Sequence, residues 1–233
     1  MSGEQMYIQA LALGLDPAWR RRDDQERRAD GLAFCDALER TAGLADGEGG
    51  VRTIAYSSIG LEPGVDLLLW RMANSVDALE ASAAALLRTG LGRWLSVTHS
   101  LLGRIGPSQY VRKPTEQEQS LFAGERSRYL VVYPFTKSAE WYLLSKEARQ
   151  GVMNEHMRVG HEYPTVRQAL GYSFGLDGQD FVVAYETDDL VAFGDLVRAL
   201  RGTESRRSTV SDTPILLGIH RPVDEILALL GAA

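Results

Sequence analysis

Apolar and polar positions follow one order twice along the chain. In the first half, Tyr56-Ser57-Ser58-Ile59-Gly60-Leu61 precedes the apolar run Asp66-Leu67-Leu68-Leu69-Trp70. An amphipathic segment then starts at Ser75 and ends in Leu86-Leu87-Arg88-Thr89. In the second half, Tyr172-Ser173-Phe174-Gly175-Leu176 precedes Asp180-Phe181-Val182-Val183-Ala184-Tyr185. A further amphipathic segment starts at Asp188 and ends in Ala199-Leu200-Arg201-Gly202-Thr203. The same elements in the same order and at similar spacing predict one unit, diverged and used twice.

The second unit is the more legible. Tyr129–Tyr133 is β-branched and aromatic and is bounded by Pro134, which predicts a strand. Ser145 is placed to cap a helix through Val152, Met153, His156, Val159 and Gly160, and Pro164 stops it. Gln168–Leu176 and Phe181–Glu186 read as a hairpin around Gly178. Asp189–Leu200 sets Leu190, Phe193, Leu196, Val197 and Leu200 on one helix face. Pro214–Ile219 supplies a last strand. In the first unit, Asp16 caps and Pro17 opens a helix predicted to run through Glu39. Strand, helix, strand, strand, helix, strand is the ferredoxin-like order, with helices on one face of an antiparallel sheet. The fold class is therefore α+β, a dimeric α+β barrel made from two ferredoxin-like repeats in one chain. The N-terminal repeat spans residues 1–106 and the C-terminal repeat residues 128–233. The linker, residues 107–127, is rich in Gln, Glu, Ser and Pro.

Composition narrows the function classes. The 233 residues are 45% hydrophobic and 24% charged with a net charge of -6, ordinary for a globular protein and opposite in sign to a general nucleic-acid binder. The Arg20-Arg21-Arg22 cluster is followed at once by Asp23, Asp24 and Glu26, so it reads as a solvated helix start. The single cysteine, Cys35, excludes an intrachain disulfide and reads as a small core residue; the chain suits a reducing, cytoplasmic setting. No apolar run approaches a membrane span, and the N-terminus lacks a secretory pattern.

The residues alone give His156, Tyr133, Lys137 and Trp141 ordinary structural readings: a helix histidine, a strand-end tyrosine, a solvated lysine and a core aromatic. Their company changes this. Tyr133-Pro134-Phe135-Thr136-Lys137, Glu140-Trp141-Tyr142, Met153-Asn154-Glu155-His156, Gly160, Tyr163, Gly175-Leu176-Asp177 and Leu200-Arg201-Gly202-Thr203-Glu204 together resemble the chlorite dismutase-like superfamily. Within it, the set is most similar to the coproheme decarboxylases, and the first repeat extends the resemblance over nearly the whole chain.

The resemblance implies an iron porphyrin in the C-terminal repeat, with His156 as the iron ligand. His161, on a different helix face, competes for that place; His99 and His220 have no motif support. The same comparison implies that Tyr133 carries the oxidising radical and that Lys137 assists proton transfer. Trp141 would lie near the proximal side, Glu204 would orient the histidine, and Ser205 would contact a propionate. At the distal position, which is arginine in chlorite-decomposing members and glutamine in many decarboxylases, the alignment puts Gln168. A different gap would put Arg167 or Ala169 there, and strand alternation sends Arg167 and Gln168 to opposite faces. A propionate-side arginine of some members falls at His161. The implied activity is peroxide-dependent decarboxylation of iron coproporphyrin III (coproheme) to heme b by a homo-oligomer, commonly a pentamer. The alternatives are chlorite dismutation to chloride and dioxygen, or heme binding without catalysis.

Overall fold

The computed structural model describes residues 6–42, 50–108, 110 and 125–232. Most of the linker expected at 107–127 lies outside them. The chain divides into two compact units, Met1–Ile105 with Leu217–Ala233, and Gly106–Leu216. Each is a ferredoxin-like unit of the α+β class.

The first unit contains β1 (Met6–Leu15), α1 (Asp24–Ala42), β2 (Val51–Glu62), β3 (Val65–Ala73), α2 (Val76–Leu87) and β4 (Leu95–Ile105). Its antiparallel sheet runs β4-β1-β3-β2. Alternation directs Leu11, Leu13, Leu15, Leu67 and Leu69 to one face, where they form a core with Trp19, Phe34, Leu38 and Leu86.

The helix expected from Asp16 to Glu39 is two elements. A 3-10 turn, Pro17–Arg21, is capped by the Asp16 carboxylate, which accepts from the Ala18 amide at 2.8 Å. Extended Arg22 then separates it from α1. The break lets Trp19 point into the core while Arg22 lies over the rings of Trp19 and Trp94 and pairs with Asp30. Arg22 is thus a packed and paired cation rather than part of a solvated helix start. Cys35 is only partly buried against the core.

The second unit contains β5 (Tyr129–Lys137), α3 (Ala139–Leu143), α4 (Lys146–Gly160), β6 (Arg167–Tyr172), β7 (Phe181–Thr187), α5 (Leu190–Arg201) and β8 (Thr209–Ser211). Ser145 caps α4 as expected, its Oγ accepting from the Ala148 amide at 3.2 Å. The sheet runs β6-β7-β5-β8, all antiparallel. Pro134 does not end β5. The pairing continues through Pro134↔Val182 to Phe135↔Phe181, because one proline removes only one ladder donor.

The C-terminal boundary also differs from the one the pattern suggests. Rather than one strand at Pro214–Ile219, there are two short ones, β8 and β9 (Leu216–His220). Beyond Leu216 the chain joins the first unit: β9 pairs with β2 at Ser57↔Ile219 and Tyr56↔His220. Helix α6 (Val223–Leu229) then sends Ile226 and Leu227 into the core beside Trp19. The Trp19 indole donates to the Leu230 carbonyl at 2.7 Å. An amphipathic tail cannot stay exposed, and this open core edge accepts it. Among the described residues no helix is long and apolar enough to cross a membrane.

Trp19 is fully buried and joins the turn, the core and the tail. Trp19→Ala should destabilise the chain by about 3–5 kcal/mol, read from urea unfolding followed by circular dichroism.

Candidate functional site

The two repeats can be compared position by position. Leu11, Leu13 and Leu15 of β1 correspond to Tyr133, Phe135 and Lys137 of β5. At the same spacing further on, Asp16 and Trp19 correspond to Ser138 and Trp141, and Phe34 of α1 to His156 of α4. Both tryptophans are buried, 0% and 3% exposed, each on the short helical turn after its strand. The scaffold is shared, but the row facing the helices is not. Where the first repeat packs two leucines and a phenylalanine, the second carries a phenol, an ammonium and an imidazole.

Strand register fixes which side chains share that row. Across the ladders, Gln168 faces Tyr185, Leu170 faces Val183, and Tyr133 faces Val183. Directly opposed residues project from the same face of a sheet. Tyr133, Phe135, Val183, Tyr185 and Gln168 therefore share the face over which Phe193, Leu196 and Leu200 of α5 pack. Arg167 and Ala169 project from the other face. There Arg167 is anchored by Glu186 at 2.8 Å, the Ser127 hydroxyl at 2.9 Å and the Glu125 carbonyl at 2.9 Å. Of the three residues weighed for the distal position, only Gln168 lies on the side of Tyr133.

Lys137 is 8% exposed. Its Nζ donates to the carbonyl and hydroxyl oxygens of Ser205, both at 2.9 Å, and lies 4.4 Å from the centre of the Trp141 ring. Burial lowers the ammonium to about 8, with the nearby Arg206 cation adding to the effect. Burial first, and then the Lys137 cation, lowers His156 to about 4, against an opposing contribution from Glu155. His156 is thus neutral near pH 7, the state a metal ligand requires. Its buried Nδ1 has no hydrogen-bond partner among the described residues.

Tyr133 is part-buried and stacks on Tyr185, with ring centres 5.9 Å apart and planes at 25°. Burial, and then the Tyr185 phenol, push its ionisation well above the usual range, so its hydroxyl keeps its proton.

The structure brings His156, Lys137, Trp141 and Ser205 together and sets Tyr133 and Gln168 on the same sheet face. Glu204 does not join them. Its carboxylate pairs with Arg207 at 3.3 Å, and its amide donates to the Glu155 carboxylate at 2.9 Å. The 3-10 turn that begins at Glu204 continues through Ser205, Arg206, Arg207 and Ser208, and Arg207, one turn on, captures the exposed carboxylate. His161 caps the end of α4 and is exposed, so it does not compete with His156. Two residues were not found by pattern: Glu155, which ties α4 to the Glu204 turn, and Tyr185. Alignment of the repeats offers a signal for Tyr185, because its counterpart in the inward row is polar Arg71.

A metal bound here would need other ligands than protein. Among the described residues no group of three or more His, Cys, Asp or Glu side chains could hold a bare ion. A neutral histidine with a buried unpaired nitrogen, beside an aromatic row with a cation at its edge, fits an iron already held in an apolar, anionic macrocycle. Such a ring would lie against Tyr133, Phe135 and Gln168, with His156 as the protein ligand.

The model of the chlorite dismutase family matches residues 30–221. The chain belongs to the chlorite dismutase family. It is 32% identical over 177 residues to the coproheme decarboxylase of Mycolicibacterium smegmatis, covering 75% of each chain. It is 28% identical over 184 residues to the chlorite dismutase of Ideonella dechloratans, covering 76% of this chain and 65% of that one. A crystal structure of a chlorite dismutase variant from Candidatus Nitrospira defluvii superposes with a TM-score of 0.86 at 29% identity, over 97% of this chain and 95% of that one.

Between about pH 4 and 6.5 the unfolded chain binds a proton at His156 that the folded chain does not. Stability should therefore rise with pH across that window. His156→Phe, which restores the first repeat's residue, should fold and should flatten this slope. Urea unfolding of both proteins at about pH 5 and about pH 7 checks it.

Proposed function

We propose that this chain catalyses the hydrogen peroxide-dependent oxidative decarboxylation of iron coproporphyrin III to heme b, a step of heme biosynthesis. The observation that carries the reading is the substitution of the inward row: Tyr133, Lys137 and His156 replace Leu11, Leu15 and Phe34 of the same scaffold. Coproheme decarboxylases stand among its relatives, at 32% and 25% identity. By the same family resemblance, the enzyme is a cytoplasmic homo-oligomer, a pentamer.

When bound, the iron porphyrin supplies the redox centre that reacts with peroxide, and it is also the substrate. Each conversion removes carbon dioxide and two electrons from a propionate, leaves a vinyl group, and reduces one peroxide to two waters. In this scheme His156 holds the metal as a neutral imidazole, and burial keeps it neutral. Tyr133 gives up a hydrogen atom and takes one back from the propionate chain. Because its hydroxyl resists ionisation, it enters the reaction as a phenol. Lys137, lowered to about 8, is close enough to neutrality to hold a carboxylate and pass a proton. Ser205 steadies that ammonium, and Trp141 roofs it. Two such conversions in sequence pass through a three-propionate porphyrin.

The second reading, chlorite dismutation, asks for an arginine at the distal position. Arg167 lies on the opposite sheet face and is committed to Glu186, while Gln168 lies on the inner face. This favours decarboxylation, as does the Tyr133–Lys137 pair over heme binding without catalysis.

Purified protein supplied with iron coproporphyrin III and peroxide should lose two carboxyl groups stepwise by mass spectrometry. Tyr133→Phe, which removes only the hydroxyl, should bind the porphyrin yet convert it slower by several powers of ten, each about 1.4 kcal/mol of barrier. Lys137→Ala should slow turnover less, since water can relay part of the proton. Heme b formed at the parental rate by Tyr133→Phe, or rapid dioxygen release from chlorite, would overturn the reading.

A further inference from the structure

The turn that holds Lys137 is itself held by the histidine helix. Lys137 Nζ donates to the carbonyl and hydroxyl oxygens of Ser205, both at 2.9 Å. Ser205 is the second residue of the 3-10 turn Glu204–Ser208. The first amides of a helical turn have no partner within it. The residue before this turn does not supply one: the Thr203 hydroxyl donates to the Leu200 carbonyl at 2.7 Å and makes no cap. The Glu155 carboxylate takes that role from outside, accepting from the Glu204 amide at 2.9 Å. Glu155 precedes His156 on α4, and Glu204 precedes Ser205. One hydrogen bond therefore joins the residue beside the histidine to the residue beside the acceptor of the lysine.

The first repeat closes the same gap without a side chain. Its turn, Gly90–Trp94, follows Thr89 as the second follows Thr203, so Gly90 corresponds to Glu204 and Leu91 to Ser205. On α1, Ala33 corresponds to Glu155, next to Phe34. Gly90 has a φ of +48°, and a Cβ there would run into the Asp30 carbonyl oxygen of α1. Turn and helix meet backbone to backbone, and Leu91 and Leu15 share the apolar core beneath. Glu204 has a Cβ and no positive φ, so the second turn cannot approach its helix in that way. The changes are matched. Lys137 with Ser205 stands for Leu15 with Leu91, and Glu155 with Glu204 stands for Ala33 with Gly90. A side-chain tether replaces a backbone contact where the inward row turns polar.

We propose that Glu155 is a positioning residue for Lys137: by fixing the Glu204 amide it fixes the Ser205 oxygens, and these fix the ammonium relative to His156. The proposal rests on the decarboxylase reading for what Lys137 does, but the tether itself belongs to the folded chain. A lysine has a long flexible stem and keeps one place only where its acceptors keep theirs. A turn free to shift would carry the ammonium away from the geometry that a reacting group needs.

The test compares Glu155→Ala and Glu155→Met, which remove the acceptor, with Glu155→Gln, which keeps one. Glu155 is exposed, so all three variants should fold. In ligand-free protein, hydrogen exchange followed by NMR should show the Glu204 amide protected in the parent and in Glu155→Gln. In the other two variants it should exchange about tenfold faster, the worth of one hydrogen bond. With iron coproporphyrin III and peroxide, kcat should fall about tenfold in Glu155→Ala and Glu155→Met and stay within about twofold of the parent in Glu155→Gln. In a Lys137→Ala background, Glu155→Ala should cost no further rate, because both changes act on the same ammonium. Exchange at Glu204 that is the same with and without the acceptor overturns the proposal. So does a parental kcat in Glu155→Ala, an equal loss of kcat with and without Lys137, or a Glu155→Gln variant as slow as Glu155→Ala. A parent that converts no coproheme overturns the decarboxylase reading instead, and the ligand-free exchange still decides the tether.

Discussion

A ferredoxin-like unit hides one face of its sheet under its own helices, and the site follows from what that face carries. In the first repeat the inward row is leucine over Phe34 and Trp19, and the space between sheet and helices is filled. Burial of that row, at roughly 25 cal/mol per Å² of apolar surface, is what holds the repeat together. The second repeat keeps the tryptophan and much of the framework but puts Tyr133, Lys137 and His156 into the same row. Tyr133 is part-buried against Val166, Val183 and Leu196, His156 is part-buried on its helix, and Lys137 is buried but held by polar contacts. The second repeat places polar groups where the first places leucine and phenylalanine.

Electrostatics in this row depend on one cation. Lys137 is buried without a carboxylate partner among the described residues; two Ser205 oxygens and the Trp141 π-face hold it instead. That arrangement leaves positive charge uncompensated, which helps keep His156 neutral and keeps Lys137 itself easier to deprotonate than an exposed lysine. Under the proposed function, the same surplus charge attracts a propionate. The three properties share a cause: an ammonium taken out of water and paired only with neutral oxygens.

The opposite face of the same sheet shows the contrasting solution. Glu186 has no exposed surface and lies 2.8 Å from Arg167 and 3.5 Å from Arg126. There the charges satisfy one another and are locked in place, a structural rather than a reactive use of arginine. A one-residue step along β6 separates this ion cluster from Gln168. That step decides whether an arginine or a glutamine stands on the inner face.

The sequence by itself determined the repeat, the α+β class and most of the elements, because periods of two and of 3.6 residues are written locally. Local chemistry was also enough for the Ser145 cap and the Asp16 cap. Resemblance to a known family, rather than local chemistry, pointed to His156, Tyr133 and Lys137, through short strings whose members lie close along the chain. For Glu204 it offered a partner for the histidine or an ordinary helix-end carboxylate, and the fold pairs that carboxylate with Arg207. The local pattern ended β5 at Tyr133, short of its end at Lys137, and gave the tail beyond Leu216 to the second unit, where the fold gives it to the first. Only tertiary structure could set Gln168 on the face of Tyr133 and Arg167 and Ala169 on the other, since a gap of one residue in an alignment becomes a change of face in a strand. Only tertiary structure could set Tyr185 against Tyr133, because cross-strand neighbours are fixed by register, and register is fixed by which face the whole sheet must bury.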